Sequence, residues 1–424
     1  MKRNIGNWVI VALVILNVVV WLVFPPINDG RPNFIRQYVG EIIGANNLIL
    51  MACSLFLSTR PKWAEPFFGG LDKMYVTHRH TSTAAFLLIF VHVLTVPISL
   101  QWRLGNYLAV IAFVGIVSIA LITLAPRIAF LNKLSGSTYE GWKRLKKYIG
   151  IFFILGFIHS LTVNALDAKV AITWTMMFFI IGTASYLYTE IFGRFFKKYV
   201  PYSVEAVKHP NNSTTEVTLR AKKDSIPKQR AGQFLFVRFP KDKTLNESHP
   251  FTISSAPHEN VLRVTIKASG DFTRALFGGL RADADAIVEG AYGMFDYKTG
   301  GPKQIWIAGG IGLTPFLSFI RDMDSALQQD IDFYYTVRHP EEALFLDEIE
   351  SAAKKNPRLK THVRFSSRDG SLTVEDIIKN AGGSLQAHHI YICGPLPMVQ
   401  VFETKFLAAG VPAANIHFEE FNFR

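Results

Sequence analysis

Cysteine is scarce in this chain, which has two among its 424 residues, Cys53 and Cys393. One lies in a hydrophobic run and the other in a strand-like segment, so a disulfide framework is not expected. Acidic residues are outnumbered, 33 against 45 lysines and arginines, and the net charge is +12. Much of this excess flanks apolar segments, so we do not interpret it as a nucleic-acid-binding surface.

The N-terminus lacks the small-residue cleavage site of a secretory signal. A basic start at residues 1–4 is followed by an apolar run from Trp8 to Phe24. This run is longer than the apolar core of a typical signal peptide. We interpret it as a membrane anchor that is retained.

Long apolar runs dominate the sequence up to about Phe195. Six of them are each about long enough to cross ~30 Å of hydrocarbon. They lie at residues 8–24, 41–58, 81–100, 105–125, 148–166 and 170–192. The pattern predicts an all-α, six-helix transmembrane bundle over residues 1–195. No repeated half or pair of broken segments is evident, which argues against a transporter.

Basic residues between the apolar runs predict the orientation of the bundle. With the N-terminus inside, the outer loops hold Arg31, Arg36, Arg103 and Lys169. The inner side holds many more: Lys2, Arg3, Arg60, Lys62, Lys73, Arg79, Arg127, Lys133, Lys143, Arg144, Lys146, Lys147, Arg194, Lys197 and Lys198. This bias predicts a multi-pass protein of the cytoplasmic (inner) membrane, with the remainder of the chain in the cytoplasm.

Histidines inside apolar segments are costly and usually functional. His78 and His92 are separated by fourteen residues, which on a helix places them about 40° apart in direction and ~21 Å apart along the axis. Such a helix suits two haems stacked across the bilayer. His80 is the competing choice, but it lies about 120° away from His92. The alternative is that these histidines are interfacial and bind nothing.

A haem held by two imidazoles needs a second helix. His159, in the fifth apolar segment, is the expected partner of His92. The partner of His78 would fall at Leu145 or Lys146, and neither is an imidazole. We therefore expect metal ligation by His92 and His159, and by His78 if an inner haem is present.

The sequence after Pro201 has the pattern of a water-soluble protein. Short alternating strands at 202–208, 215–220, 233–239 and 261–267 predict an antiparallel β-barrel domain over residues 196–300. From Gln304, strand-like runs at 305–308, 331–337, 361–365 and 389–393 alternate with helix-like stretches. That alternation predicts an α/β domain with a parallel sheet over residues 301–424.

Two motifs in the predicted barrel are candidates for binding a cofactor. One runs from His249 to Ser255, HPFTISS, and the other is Gly270-Asp271-Phe272-Thr273 at a probable helix start. Free backbone N–H groups and a hydroxyl at a helix start suit a pyrophosphate. Each motif alone is equally typical of a capped turn.

The strongest local motif begins the α/β domain. A hydrophobic strand runs into Gly309-Gly310-Ile311-Gly312-Leu313-Thr314-Pro315, where glycines admit a phosphate to a helix start. A structural glycine turn is the alternative. Cys393-Gly394-Pro395 is a second strand-to-helix turn, expected to face the same crevice at the carboxyl ends of the strands.

Taken together, these residues resemble the ferric reductase and NADPH oxidase superfamily of membrane flavocytochromes, in a bacterial member, over the whole chain. The resemblance implies FAD, one or two b-type haems and NADPH or NADH as cofactors. It places the flavin beside His249, Pro250, Phe251, Thr252 and Ser254, and the FAD pyrophosphate at Gly270, Asp271, Phe272 and Thr273. The nicotinamide dinucleotide would bind at Gly309, Gly310, Gly312, Thr314 and Pro315, with Cys393, Gly394 and Pro395 near the nicotinamide. Phe421 or Phe423 would cover the flavin ring. Thr252, Cys393 and one of these phenylalanines would then be the catalytic residues.

Two loops are candidates for the ribose 2′-phosphate that distinguishes NADPH from NADH. Arg338 follows one sheet strand, and Ser366-Ser367-Arg368 follows the next. Arginine suits phosphate geometry, which favours NADPH. Solvated loop arginines explain these residues equally well.

The chain departs from the family at Lys146, where most members have an imidazole. Lys146 itself could ligate the iron as a neutral amine. The inner haem could instead be five-coordinate or held by another group. In the third account only the outer haem is present. Electron tunnelling to it over ~21 Å of helix would be slow, so this account requires a flavin that inserts deeper.

The sequence thus predicts an NAD(P)H-dependent flavocytochrome b that passes electrons through FAD and haem across the lipid bilayer. The expected acceptor is oxygen, giving superoxide, or a ferric chelate. One alternative is reduction of a quinone or a protein partner. Another is a membrane-anchored flavin reductase whose histidines are structural.

Overall fold

The apolar runs of the first half form helices in the computed structural model, which describes residues 4–97, 102–124, 145–193, 199–226, 229–323 and 327–419. The chain divides into two compact units. One comprises Lys2–Gly69 and Lys73–Phe196, and the other comprises Lys197–Arg424 together with Gly70–Asp72.

The described residues of the first unit include six long helices. They are α1 (Ile5–Val23), α2 (Phe34–Ser58), α3 (Leu71–Thr95), α4 (Leu104–Leu124), α5 (Ile149–Thr162) and α6 (Lys169–Leu187). Among the described residues, four helices, α1, α2, α4 and α6, are long and apolar enough to cross a membrane. The first turns of α3 carry Asp72, Lys73 and Arg79, and α5 has 14 residues. The helical first half is confirmed, whereas a count of six spans is not.

A buried polar side chain links two helices of this unit. The Asn17 side chain of α1 is 0% exposed, and its Nδ2 donates to Oδ1 of Asn46 on α2 at 3.0 Å. Apolar packing surrounds such contacts, with α2 along α6 and α4 along α5. Because hydrocarbon offers no hydrogen bonds, a buried amide of this kind holds two helices in register.

A six-stranded antiparallel sheet begins the second unit. Its strands are β1 (Val200–Asn211), β2 (Thr214–Ala221), β3 (Phe234–Arg238), β4 (His249–Thr252), β5 (Leu262–Lys267) and β6 (Asp285–Tyr292), and helix α7 (Asp271–Gly279) lies between β5 and β6. The spatial order is β4-β3-β6-β1-β2-β5. The predicted closed barrel is not confirmed, because in the described residues the two edges meet at a single bridge between Ile253 and Val264.

A five-stranded parallel sheet completes the unit. It contains β7 (Lys303–Gly309), β8 (Asp330–Val337), β9 (Leu359–Phe365), β10 (His389–Cys393) and β11 (Ile416–Phe418), and its helices are α8 (Thr314–Asp322), α9 (Leu346–Lys355), α10 (Val374–Asn380) and α11 (Leu396–Ala408). The order is β11-β10-β7-β8-β9 with every pair parallel.

The parallel sheet is buried on both faces. Trp306 and Ile307 are successive residues of β7, so they point to opposite faces, and both are 0% exposed. They belong to two separate hydrophobic clusters, one on each side. The predicted parallel sheet is confirmed, and β11 is a strand that the sequence pattern did not predict.

Tyr202 offers a test of the antiparallel sheet. Its ring is 2% exposed, and its hydroxyl accepts a buried hydrogen bond of 3.0 Å from the backbone N–H of Ile226. Tyr202→Phe leaves that N–H unsatisfied and should cost about 1–3 kcal/mol. Thermal unfolding of the purified protein should show a lower midpoint, whereas Tyr107→Phe, at an exposed ring, should not. Equal midpoints for both variants would contradict this account.

Candidate functional site

Two membrane-unit histidines face each other across a gap. His92 lies in the last turn of α3 and His159 in the last turn of α5. Their ring centres are 6.5 Å apart, and the ring planes are 78° apart. Two metal–nitrogen bonds of about 2.0 to 2.1 Å, extended to the ring centres, span roughly 6.4 Å. This separation would allow His92 and His159 to hold one iron between them.

The hydrogen bonds of these histidines set their tautomers. Nδ1 of His92 is 2.8 Å from the carbonyl oxygen of Gly40, and Nδ1 of His159 is 2.9 Å from that of Gly105. A carbonyl only accepts, so each Nδ1 carries the proton and each Nε2 keeps its lone pair. An imidazole that ligates a metal needs this arrangement.

A cavity of about 580 Å³ lies beside both rings, a size typical of cofactor sites. Gly156 lines it, and a Cβ there would meet no atom within 4 Å. The Nε1 of Trp21 also borders the cavity and has no hydrogen-bond partner among the described residues. Arg103 supplies a positive charge to the lining. A mostly apolar ring with a carboxylate edge fits this lining, so the residues present fit a haem.

His78 occupies a different environment on the same helix. Its Nδ1 is 3.0 Å from the carbonyl oxygen of Ser54 and 2.9 Å from the Ser54 hydroxyl. Within the described ranges, the ring contacts place no second imidazole beside it, and no group of three or more His, Cys, Asp and Glu could hold a metal ion. Lys146, just before α5, is exposed. The structure therefore brings His92 and His159 together, and among the described residues it places no second histidine beside His78.

The two predicted flavin motifs meet in the second unit. The His249 ring at the start of β4 lies 3.9 Å from the Phe272 ring at the start of α7. The Phe251 ring is 6.2 Å from Phe272, and Pro250 between them pairs with Phe236 of β3. One patch thus joins β4 to the start of α7, where free backbone N–H groups suit a pyrophosphate.

Two hydroxyls in these motifs are already engaged. Thr273 Oγ1 accepts from the backbone N–H groups of Gly270 and Ser269 at 2.9 Å, which caps α7. Ser254 Oγ lies 3.1 Å from the hydroxyl of Thr265 inside the sheet. Asp271 is fully exposed. Of this motif, the backbone N–H groups at the start of α7 are left to meet a pyrophosphate.

The glycines of the dinucleotide motif have different roles. Gly310 has φ +56° and open space where a Cβ would be, so the backbone there can approach a phosphate. Gly312 has no such space, because a Cβ would collide with the backbone of Cys393 and Gly394. Thr314 and Pro315 form the first turn of α8. The glycine turn around Gly312 and the Cys393–Pro395 turn therefore pack against each other at the carboxyl edge of the sheet.

Three side chains converge where the two sheets meet. The Thr252 hydroxyl at the end of β4 donates to Oε2 of Glu419 at 3.5 Å, and Glu419 is 3% exposed. Because Ile392 pairs with Phe418, Cys393 and Glu419 follow side by side on neighbouring strands. Burial raises the pKa of the Cys393 thiol well above its usual value, and the Glu419 charge adds to this. The thiol is therefore neutral at physiological pH.

Glu419 is a site residue that the sequence did not identify. Its signal is a carboxylate directly after the last strand of a parallel sheet, at the edge where ligands bind. Phe421 and Phe423, predicted to cover the flavin, lie outside the described residues.

The predicted 2′-phosphate loops are joined to each other. The Ser367 hydroxyl donates to the carbonyl oxygen of Arg338 at 2.6 Å, and Ser366 opens a one-turn helix beside it. Arg368 forms an ion pair of 2.7 Å with Asp369 and lies over the Phe365 ring. A 2′-phosphate would have to compete with this carboxylate for Arg368.

Arg368 and Asp369 allow a test of nucleotide preference. Arg368→Gln removes a charged hydrogen bond and should raise the KM for NADPH by about 10- to 100-fold, while the KM for NADH stays unchanged. Asp369→Asn should lower the KM for NADPH, because it releases Arg368. Steady-state kinetics with both nucleotides checks this. Equal effects on NADPH and NADH would show that neither residue contacts the 2′ position.

The histidine pair predicts a spectroscopic outcome. His92→Ala or His159→Ala should abolish a low-spin b-type absorption band in purified full-length protein, while bound FAD stays at the wild-type level. His80→Ala, at an exposed position, is the matched control and should keep the band. The 78° between ring planes further predicts a strongly anisotropic low-spin electron paramagnetic resonance signal. An unchanged band in both alanine variants would exclude this pair as ligands.

Comparison with known families divides the chain into three matched parts. A profile described as a ferric reductase like transmembrane component matches residues 43–110. Profiles described as an FAD-binding domain and an oxidoreductase NAD-binding domain match residues 185–294 and 306–404.

Two curated relatives illustrate the range of similar proteins. NADPH oxidase 3 of Rattus norvegicus is 34% identical over 150 residues, which cover 32% of this chain and 25% of that protein. The ferredoxin reductase component of 3-ketosteroid-9-alpha-monooxygenase from Rhodococcus rhodochrous is 26% identical over 199 residues, which cover 46% of this chain and 56% of that protein. The chain thus spans about half or less of the length of these relatives.

One solved structure matches most of the chain. Flavohemoglobin from Malassezia yamatoensis, with bound FAD and heme, superposes with a TM-score of 0.53 over 91% of this chain and 97% of its own. Its sequence identity is 16%, so the likeness is one of fold alone.

Proposed function

We propose that this chain, which belongs to the superfamily of ferric reductases and NADPH oxidases, carries electrons from NAD(P)H through FAD and a b-type haem to an acceptor across the membrane. The dehydrogenase part corresponds to residues 196–300 and 301–424, and the haem-binding part to residues 1–195. The acceptor is oxygen, giving superoxide, or a ferric chelate.

The observation that carries this proposal is the His92–His159 pair. A tethered reductase has no need of two imidazoles 6.5 Å apart with their Nδ1 atoms fixed by carbonyls. The cavity beside them is mostly apolar. These features support a haem in the helical unit of a chain whose other unit has a dinucleotide-binding edge.

The chain's own residues have three tasks in this scheme. The Gly310 turn and the start of α8 bind the dinucleotide phosphates, while Gly312 fixes the distance between the two turns. Thr252 and Glu419 orient polar groups beside the flavin ring, and Cys393 offers a neutral thiol to the nicotinamide. Bound FAD would accept an electron pair as hydride and release single electrons, and a bound haem iron would carry one electron at a time.

We further propose one haem per FAD. His92 and His159 form a complete pair, whereas His78 faces Ser54 and the described residues near it bring no second imidazole. The positive-inside bias supports a cytoplasmic dehydrogenase and an inner-membrane location. The soluble reductases among the relatives favour a second candidate, a membrane-anchored flavin reductase that passes electrons on the same side.

Proteoliposomes separate the two candidates. Full-length protein with FAD receives NADPH on the dehydrogenase side, and a ferric chelate is trapped on the other side. The wild type should reduce the trapped chelate. In His92→Ala the rate of chelate reduction should fall to background, while the variant still reduces ferricyanide on the NADPH side. His80→Ala should behave as the wild type. If the wild type reduces ferricyanide but neither reduces the trapped chelate nor releases superoxide on that side, the tethered reductase is correct.

A further inference from the structure

Arg321 is a buried cation near the C-terminal end of α8, the helix whose first turn forms part of the dinucleotide site. It is the penultimate residue of α8, whose first residue is Thr314. Its side chain is 9% exposed. A guanidinium this deep in a protein needs both anions and hydrogen-bond acceptors.

Three side chains from outside α8 surround this charge. Glu348 of α9 accepts two bonds from the guanidinium, at 2.6 and 2.9 Å. Glu216 of β2 lies 3.4 Å away, and the Phe345 ring lies 5.4 Å from the guanidinium carbon. Burial acts to lower the pKa of Arg321, but the hydrogen bonds and charges of Glu348 and Glu216 raise it overall. The cation is therefore permanent.

The fourth contact joins α8 to the flavin motif. Arg321 Nη1 donates to the carbonyl oxygen of Ser254 at 2.8 Å. One turn earlier, the Ser318 hydroxyl donates to the carbonyl oxygen of Ser255 at 2.7 Å. Both carbonyls belong to the segment that directly follows Thr252. A single nine-residue helix thus begins at the dinucleotide phosphates and ends on the backbone beside the flavin.

We propose that Arg321, with Ser318, is a positioning residue that sets the distance between the nicotinamide and the flavin. The inference rests on the proposed function, since it needs both groups to bind. The nicotinamide gives up a hydride and is oxidised, and the flavin gains that hydride and is reduced. Arg321 takes no part in this exchange. It fastens α8, which binds the nicotinamide dinucleotide, to the segment after β4, which lies beside the flavin.

Misplacing reacting atoms by about 1 Å can cost roughly 100-fold in rate. A positioning residue therefore affects the rate at saturation more than the affinity. The phosphate-binding turn at the start of α8 does not include Arg321, so dinucleotide affinity should survive its loss. This split between rate and affinity distinguishes positioning from a purely structural salt bridge.

Anaerobic stopped-flow reduction of FAD in the full-length protein tests the proposal. Arg321→Gln should lower the limiting rate with NADPH by about 10- to 100-fold, while the apparent Kd stays within about threefold. The long-wavelength charge-transfer absorbance between nicotinamide and flavin should weaken. Arg321→Lys should be intermediate, because lysine keeps the charge but not the bidentate geometry. Arg358→Gln, which removes an exposed arginine paired with Asp330, is the control and should match the wild type.

The outcomes are distinct. A limiting rate in Arg321→Gln close to that of the wild type, or a weaker Kd with an unchanged limiting rate, would overturn the proposal. If Arg321→Gln does not retain FAD, the limiting rates of Ser318→Ala and Arg321→Lys decide whether the proposal stands. A lower limiting rate with wild-type FAD content and unfolding midpoint supports positioning, and an unchanged rate overturns it. Failure of NADPH and NADH to reduce the wild-type flavin would instead refute the proposed function.

Discussion

Hydrocarbon cannot hydrogen-bond, so each imidazole of the helical unit must find its partner in the protein. His92 uses the carbonyl oxygen of Gly40 and His159 uses that of Gly105. Close approach is possible because the neighbouring residues are small. A Cβ on Gly44 would lie 2.9 Å from Cε1 of His92. The orientation of both Nε2 atoms depends on these contacts.

The dehydrogenase unit meets a different constraint, since it must hold two nucleotides against each other. Parallel strands solve this by ending at one edge, where Gly309, Cys393 and Glu419 come together. The antiparallel sheet contributes Thr252 from the end of β4, which is hydrogen-bonded to Glu419. Buried polar contacts, rather than apolar packing alone, therefore join the two sheets in one register.

The sequence predicted much of this architecture because local periodicity determines it. Apolar runs placed the helices, and glycine turns placed the carboxyl edge of the parallel sheet. It did not predict the open sheet, because closure depends on how many residues the two edge strands pair, and here β4 and β5 meet at one bridge, between Ile253 and Val264. Glu419 was missed for a different reason, since Thr252 lies 167 residues away from it in the chain. The start of α3 resembles a surface helix in composition and α5 has only 14 residues, so two of the six apolar runs did not become clear spans.

Both functional regions use the same device to orient a side chain. A backbone carbonyl from another element accepts the hydrogen bond, as Gly40 does for His92 and Ser254 does for Arg321. A carbonyl cannot be removed by substitution, so these orientations survive changes in side chains that leave the backbone in place. They are lost when the backbone shifts, and small residues at close contacts prevent that shift. Rigid elements with such contacts hold cofactors more accurately than loops do. A Cβ on Gly44 would crowd the His92 ring, and one on Gly312 would collide with the backbone of Cys393 and Gly394, so neither glycine can gain a side chain without such a shift.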